Sequence, residues 1–328
     1  MAVNKNGIVV MGAVFVDIKG FPDDVYIPDG RNAGKAWQTS WREQTIENAE
    51  GMGMKQEGEK KVKEVEDIAN MELRPTFLSI VDESALGDAV VRKLNNHKVN
   101  TEYIQSAPNG MGTWLAVFDN NGDLAGSISQ RPDLMSLLDV LEKKGDEIFA
   151  NADSIIIEVD VDKEIVKKVV ELCEKHQKKL YGVVSNMSIA VERRDFLQKF
   201  DCFICNQLEA GMFFADDFSE TAPKELAEIL AKKLQLAKIP SMVVTMGGAG
   251  SVYADMKGKK GFCPAKKVQV KDTTGAGDAF CAGVSSGLTY GKTLAESVEI
   301  GTRLAASVIT SSENVCPRFL PGELGIEA

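Results

Sequence analysis

Histidine is nearly absent from this sequence: His97 and His176 are the only two in 328 residues. That scarcity argues against His-based acid–base catalysis and against a His-rich metal centre. The six cysteines, Cys173, Cys202, Cys205, Cys263, Cys281 and Cys316, are scattered. In a chain of this size without a secretion-signal pattern they read as reduced thiols, not as a disulfide framework. Cys202 and Cys205 have Cys-x-x-Cys spacing, but they lie in an apparent strand that turns them to opposite faces, and no second pair completes a metal site. Positive charge is in deficit, with 38 Lys and Arg against 48 Asp and Glu and a net charge of −10, so nucleic acid is not an expected partner. No apolar run is long enough to span a bilayer, and a soluble cytoplasmic protein with no membrane partner is expected. A Gly-x-x-x-x-Gly-Lys-Ser/Thr loop occurs nowhere, and the first strand is not followed by a dinucleotide-binding fingerprint. Those two gaps count against P-loop enzymes and dehydrogenases.

What the chain does have is a hydrophobic content of 44%, ample for a large α/β core, and one dense chemical motif near its end. Asp272-Thr273-Thr274-Gly275-Ala276-Gly277-Asp278 follows Lys267-Val268-Gln269-Val270, which alternates polar and apolar like a strand end. Phe280, Val284 and Leu288 then recur at helical spacing. The pattern predicts a strand, a tight glycine turn and a helix beginning at the turn. The first amides of a helix lack intrahelical partners and sit at the positive end of its dipole, a ready site for a phosphate or a developing anion. Asp278 sets a carboxylate at the same spot, and an anion pocket beside a base suits phosphoryl transfer to a hydroxyl. The plainer reading is an ordinary strand-to-helix turn.

The heptad resembles the C-terminal signature of the PfkB (ribokinase-like) family of carbohydrate and nucleoside kinases. The resemblance covers residues 7–35 and 67–320. It implies a three-layer α/β/α fold with a mostly parallel central sheet and a small β-sheet lid. It also implies that Asp278 is the catalytic base and that Gly275, Ala276 and Gly277 supply the anion hole, with Thr274 beside the nucleotide.

Taken in order, Ile8-Val9-Val10-Met11 reads as a buried parallel strand ending at Gly12. Asp17 lies just beyond its C-terminal end, the edge where ligands bind in open α/β sheets. It either holds two hydroxyls of a sugar or is a solvated loop residue; the Gly-x-x-x-x-Asp opening of PfkB kinases implies the former. Residues 18–35, rich in Gly and Pro around Val25-Tyr26-Ile27, and residues 102–130, with the turn Asp119-Asn120-Asn121-Gly122-Asp123, are the expected lid segments. Trp114 in the second segment covers the substrate or fills the lid's own core. Residues 36–66 are discordant. Lys55 to Glu66 is dense in charge and reads as a solvated helix face or a mobile loop. The Gly-Gly-x-x-x-Asn motif that the resemblance implies here is not intact. Gly51-Met52-Gly53 is the nearest glycine pair, and counting back from Asp67-Ile68-Ala69-Asn70 puts Lys63 at the Asn position.

Strands are predicted at Thr76–Val81, Ser154–Ile157, Leu180–Val184, Cys202–Cys205 and Met242–Thr245. Helices are predicted near 137–149, 163–177, 190–199 and 222–237, so residues 1–328 read as one domain with a lid. Asn206-Gln207-Leu208-Glu209 is a helix cap by propensity; the resemblance implies that Asn206 and Glu209 organise Mg²⁺ and phosphate, Glu209 through water. Thr245, Gly247, Gly248 and Gly250 form a hairpin turn in the plain reading and an ATP contact by resemblance. Ser311 and Asn314 are helix-end residues that the family places near adenine, and Asp272 is the implied neighbour of a monovalent cation such as K⁺. The expected activity is ATP- and Mg²⁺-dependent phosphorylation of a hydroxymethyl group of a sugar or nucleoside, with pairing through the lid into a homodimer. Asp17-Ile18-Lys19-Gly20-Phe21 and the hairpin near residue 120 are similar to pseudouridine kinases within the family. A kinase-like regulator that binds nucleotide or sugar with slow turnover is the competing reading.

Overall fold

The computed structural model describes residues 6–28, 30–38, 60–120, 124–311 and 313–327. The chain runs β1 (Ile8–Met11), β2 (Phe15–Pro22), β3 (Gly34–Gln38), α1 (Lys60–Asn70), β4 (Thr76–Val81), α2 (Ala85–Asn96), β5 (Ile104–Ser106), β6 (Gly112–Phe118) and β7 (Leu124–Gln130). It continues α3 (Ser136–Ala150), β8 (Ser154–Glu158), α4 (Lys163–His176), β9 (Lys179–Val183), α5 (Met187–Val191), α6 (Arg194–Leu197), β10 (Cys202–Asn206) and α7 (Gln207–Phe214). The last elements are α8 (Pro223–Ala237), β11 (Ser241–Thr245), β12 (Ser251–Asp255), β13 (Lys260–Cys263), α9 (Ala276–Thr289) and α10 (Leu294–Ile309).

Nine strands form one sheet in the order β13-β12-β11-β10-β9-β8-β1-β4-β5. All neighbours in it are parallel except β12, which runs antiparallel to both β11 and β13. The apolar runs that predicted these strands alternate between two cores, because side chains in a strand point to opposite faces in turn. Val9, Met11, Ile155, Ile157 and Phe203 pack on one face with α3, α4, α7 and α8. Ile8, Val10, Ile156 and Ile204 pack on the other with α1, α2, α9 and α10. The expected three layers are therefore present. Cys205 joins the first core and Cys202 the second, on opposite faces as the strand reading required.

A second sheet, β3-β2-β6-β7, is the expected small one. Its strands β2 and β6 pair in parallel with Asp17 opposite Trp114. Residues 104–106, expected in the lid segment, pair instead with β4 at the edge of the large sheet, Ile104 opposite Ser79. Val25 lies outside the strands and is exposed. The turn expected over 119–123 falls largely outside the described residues, as does Gly51-Met52-Gly53.

Three expectations are corrected. The alternating segment 267–270 is not a strand; Val268 and Val270 are exposed, and Lys271 N–H donating to Ile309 O (2.8 Å) is the backbone bond that pins it. Alternation needs a neighbouring strand to become a ladder, and none lies alongside among the described residues. The single helix expected over 190–199 is two short ones, α5 and α6, parted near Arg193, whose guanidinium donates to Val159 O (2.6 Å) and Val161 O. The largest difference is α1. Residues 62–66 are not a solvated face: Val62, Val65, Ile68 and Met71 recur every three residues and are buried, and Lys63, Glu64, Glu66 and Asp67 are buried with them.

The C-terminal segment explains this burial. It straps α1 from outside: Cys316 N–H donates to Asp67 Oδ1 (2.6 Å), Asn70 Nδ2 donates to Cys316 O (2.7 Å), and Phe319 N–H donates to Asn70 O (2.9 Å). Glu66 is matched by Lys93 at 2.7 Å. Burial raises the Asp67 carboxyl well above the usual range; the Cys316 amide opposes this, and the charges of Asp278 and Glu66 add to it. The folded state thus holds the Asp67 proton more tightly than the unfolded chain does. Its stabilising contribution is present below the ordinary Asp range and declines as pH rises toward the folded-state pKa. Asp67→Asn keeps an oxygen for the Cys316 amide and cannot ionise, so urea unfolding at pH 8 should show stability equal to or above the parent's. Asp67→Ala should lose about 1–3 kcal/mol in the same measurement.

Candidate active site

Several strands of the large sheet end along one edge, and the chain leaving each carries a polar group toward a cleft of about 360 Å³. Asp17, Lys19 and Trp114 of the small sheet close one end. Asn206, Glu209, Thr245, Thr274, Gly277 and Asp278 line the other. Ligand sites at the carboxyl edge of an open α/β sheet follow from its topology.

The heptad forms the floor. Gly275 is the N-cap of α9 with φ +80°, a conformation suited to glycine, and a Cβ there would lie 2.0 Å from Asn314 O. Asn314 therefore meets the heptad through its backbone carbonyl. The Ala276 N–H donates to Thr273 O (3.2 Å), which closes the turn, and Ala276 is not among the residues that line the cleft. Gly277 and Asp278, in the first turn of α9, do line it, and a Cβ on Gly277 would meet nothing within 4 Å. Asp272 Oδ1 accepts the N–H of the cleft-lining Thr274 (3.0 Å) and stiffens the approach to the turn; Asp272 does not itself line the cleft.

At Asn206 the plain reading and the chemical one coincide. Asn206 Oδ1 accepts the Glu209 N–H (2.8 Å) and Glu209 Oε2 accepts the Asn206 N–H (2.7 Å), a complete capping box for α7. Both residues also line the cleft. The glycines after β11 form the expected hairpin, with Thr245 paired to Ser251. Of that group Thr245 lines the cleft; Gly247, Gly248 and Gly250 do not. Ser311 closes the end of α10, its Oγ accepting the Glu313 N–H (3.0 Å).

Five positions at or beside the cleft were missed or half-read. Lys63, found by counting back from Asp67, does reach the cleft, and Glu64 lies beside it. Lys19 lies two residues after Asp17 on the same strand face, a signal that strand alternation alone carries. Glu158, buried at the end of β8, has Oε2 accepting the Ala13 N–H (3.0 Å) and Oε1 accepting the Ser185 hydroxyl. It ties the turn before β2 to the cleft wall. Asp160, two residues on, holds Arg131 at the exit of β7 (3.0 Å) and accepts the Ser185 N–H (3.0 Å). The acidic residues following Ile155-Ile156-Ile157 were the available clue.

Residues 67–316 match the family described as pfkB family carbohydrate kinase. This chain belongs to that family. It is a phosphotransferase with a hydroxyl group as acceptor. Guanosine-inosine kinase of Exiguobacterium acetylicum is 33% identical over 94% of this chain and 96% of that one. Pseudouridine kinase of Escherichia coli is 22% identical over 90% of this chain and 87% of its own length. The structure of Arabidopsis thaliana ribokinase complexed with ribose and ATP superposes with a TM-score of 0.78 at 18% identity, covering 98% of each chain.

Two glycines of this PfkB kinase separate packing from chemistry. Gly275→Ala meets both the left-handed backbone and the Asn314 carbonyl, and should lower stability by at least about 1–2 kcal/mol. Gly277→Ala faces open cleft within a helix, so thermal melts should show stability unchanged or slightly raised, whereas turnover should fall at least about tenfold as the methyl enters the cleft.

Proposed function

We propose that this chain transfers the γ-phosphate of ATP to a hydroxymethyl oxygen of a sugar or nucleoside. The observation that carries the reading is the shared cleft: Asp278 and the first turn of α9 face the same space as Asp17. Asp17 orients the acceptor through its hydroxyls. Asp278 takes the hydroxyl proton as the oxygen attacks, and the amides at the start of α9 stabilise the charge as it moves. Thr245 and Thr274 border the nucleotide end. The second sheet, joined to the body through Glu158 and Asp160, acts as a lid that keeps water from the transferring phosphate.

The donor set suits magnesium. Among the described residues no group of three or more His, Cys, Asp or Glu gathers into a metal cage. Glu209 and Asn206 offer oxygen ligands at the cleft, which fits an ion that keeps several waters and shares its shell with phosphates. Mg²⁺ bound there would offset the charge of the triphosphate.

The names of two relatives, guanosine-inosine kinase and pseudouridine kinase, support a nucleoside acceptor. The competing reading, a binding protein with slow turnover, draws on Lys63 standing in the cleft where the family resemblance implies an asparagine. ADP release measured over a panel of sugars and nucleosides separates the two. The kinase reading expects acceptor-dependent release; ATP binding with no release on any acceptor overturns it. Asp278→Asn should lower turnover by about 10²–10⁴ and leave ATP affinity nearly unchanged. Near-normal turnover in that variant would remove Asp278 from the mechanism.

A further inference from the structure

Lys63 stands where nothing in the folding of α1 asks for a cation. It lies one turn from the N-terminus of the helix, the positive end of its dipole, and only 6% of its surface is exposed. An ammonium taken out of water in this way is costly unless an anion meets it. Among the described residues Lys63 makes no hydrogen bond or ion pair. Glu66, on the same helix, is already matched by Lys93 at 2.7 Å. Yet Lys63 lines the cleft. A charge that the fold leaves unmatched there is one that a bound anion can match.

The packing of α1 on α9 says which anion. Lys63 and Asp67 are four residues apart and so share one side of α1. Asp67 marks that side: it accepts the Cys316 N–H, from the loop pressed onto Gly275, and it feels the charge of Asp278. Side chains of a helix lean toward its N-terminus, so Lys63 extends from that side into the space that Gly277 and Asp278 also line. An acceptor hydroxyl is neutral and both gives and takes a hydrogen bond, which an amide serves as well. An ammonium has three donors and no acceptor. The group in phosphoryl transfer that offers several anionic oxygens is the one in flight, its charge spread over three of them. The carboxylates of Asp17, Glu64, Glu209 and Asp278 line the same cleft, so a triphosphate entering it meets repulsion that a cation on α1 reduces.

We propose that Lys63 is a further catalytic residue, its ammonium donating to oxygens of the γ-phosphoryl group as that group passes to the acceptor; this rests on the phosphoryl-transfer reading of the cleft. The bond from the γ-phosphorus to its bridging oxygen breaks and ADP leaves with the electron pair. The bond to the acceptor oxygen forms and Asp278 takes the hydroxyl proton, while Lys63 keeps its own protons throughout. A lysine in place of the asparagine that the family resemblance implies is then a charge gained at the phosphate, not a site lost.

Lys63→Met keeps the length of the side chain and removes its charge. Its thermal melt should lie at or above the parent's, because an unmatched buried cation is relieved. A melt well below the parent's would make Lys63 a structural cation and overturn the assignment. Calorimetric titration of the intact protein with ADP and with the β,γ-imido analogue of ATP, each with Mg²⁺, reads the contact without turnover. Lys63→Met should weaken the analogue at least about tenfold and ADP by no more than about twofold. Equal loss for both, or loss for neither, overturns the contact. In ADP-release kinetics Lys63→Met should lower kcat by about 10²-fold and leave the acceptor KM within about threefold. Lys63→Asn, which installs the residue implied by the family resemblance, should lower kcat as well. A kcat equal to or above the parent's in Lys63→Asn, or a raised acceptor KM with kcat unchanged in Lys63→Met, would overturn the proposal. If the parent releases no ADP on any acceptor while Lys63→Met still loses the analogue selectively, the phosphoryl-transfer reading fails and the contact to the γ-phosphate stands.

Discussion

Two backbones meet at Gly275, and the cleft depends on how closely they do so. With φ at +80° and no side chain, Gly275 lets the Asn314 carbonyl lie where a Cβ would otherwise be, 2.0 Å away. The loop after α10 is thereby pressed onto the turn that starts α9. Two residues further in the same loop, the Cys316 N–H donates to Asp67 Oδ1 and the Cys316 O accepts from Asn70 Nδ2. One irregular segment therefore fixes the start of α9 and the outer side of α1 at once. Helix α10 supports the arrangement from behind, where a Cβ on Gly283 of α9 would lie 2.7 Å from Gly301 Cα. Close packing of this kind is stiff, and a stiff floor is what catalysis by positioning requires.

The electrostatics follow from the same packing. Asp67 is fully buried beside α9, and its carboxyl is pushed up by loss of water before any charge effect is counted. A carboxyl held toward its neutral form adds little negative charge beneath Asp278, the group that faces the cleft. Glu66, also raised by burial, has Lys93 beside it at 2.7 Å to offset the cost. Burial, with Lys93 beside Glu66, thus offsets the charge of two of the acidic residues that gather on α1.

The parts of the fold that were legible in the sequence are those where one periodicity dominates. Ile8–Met11, Ser154–Ile157 and Cys202–Cys205 are short apolar runs that can be satisfied only by burial on both faces, and each became a central strand. The start of α9 was legible because Gly275 has to take a positive φ; the reading of Gly277 and Asp278 came from the family resemblance. Helix α1 was not, since its apolar stripe of Val62, Val65, Ile68 and Met71 is interleaved with charges whose partners come from far along the chain: Lys93 for Glu66 and Cys316 for Asp67. Segment 267–270 misled for the opposite reason, a strand-like pattern with no strand to pair with. Asn206 shows that structural and chemical readings need not exclude each other: the side chain that caps α7 also borders the cleft. Lys19 was in plain view, but its place at the cleft beside Trp114 appears only once β2 and β6 are in register.

The central claim is that an acceptor alcohol and a terminal phosphate meet at the N-terminus of α9. A crystal structure with a non-hydrolysable ATP analogue and an acceptor nucleoside tests it most directly. The account predicts the γ-phosphate within hydrogen-bond reach of the backbone amides of Gly277 and Asp278, with the acceptor's hydroxymethyl oxygen at the Asp278 carboxylate. A triphosphate lying elsewhere, or an acceptor oxygen turned away from Asp278, would contradict it.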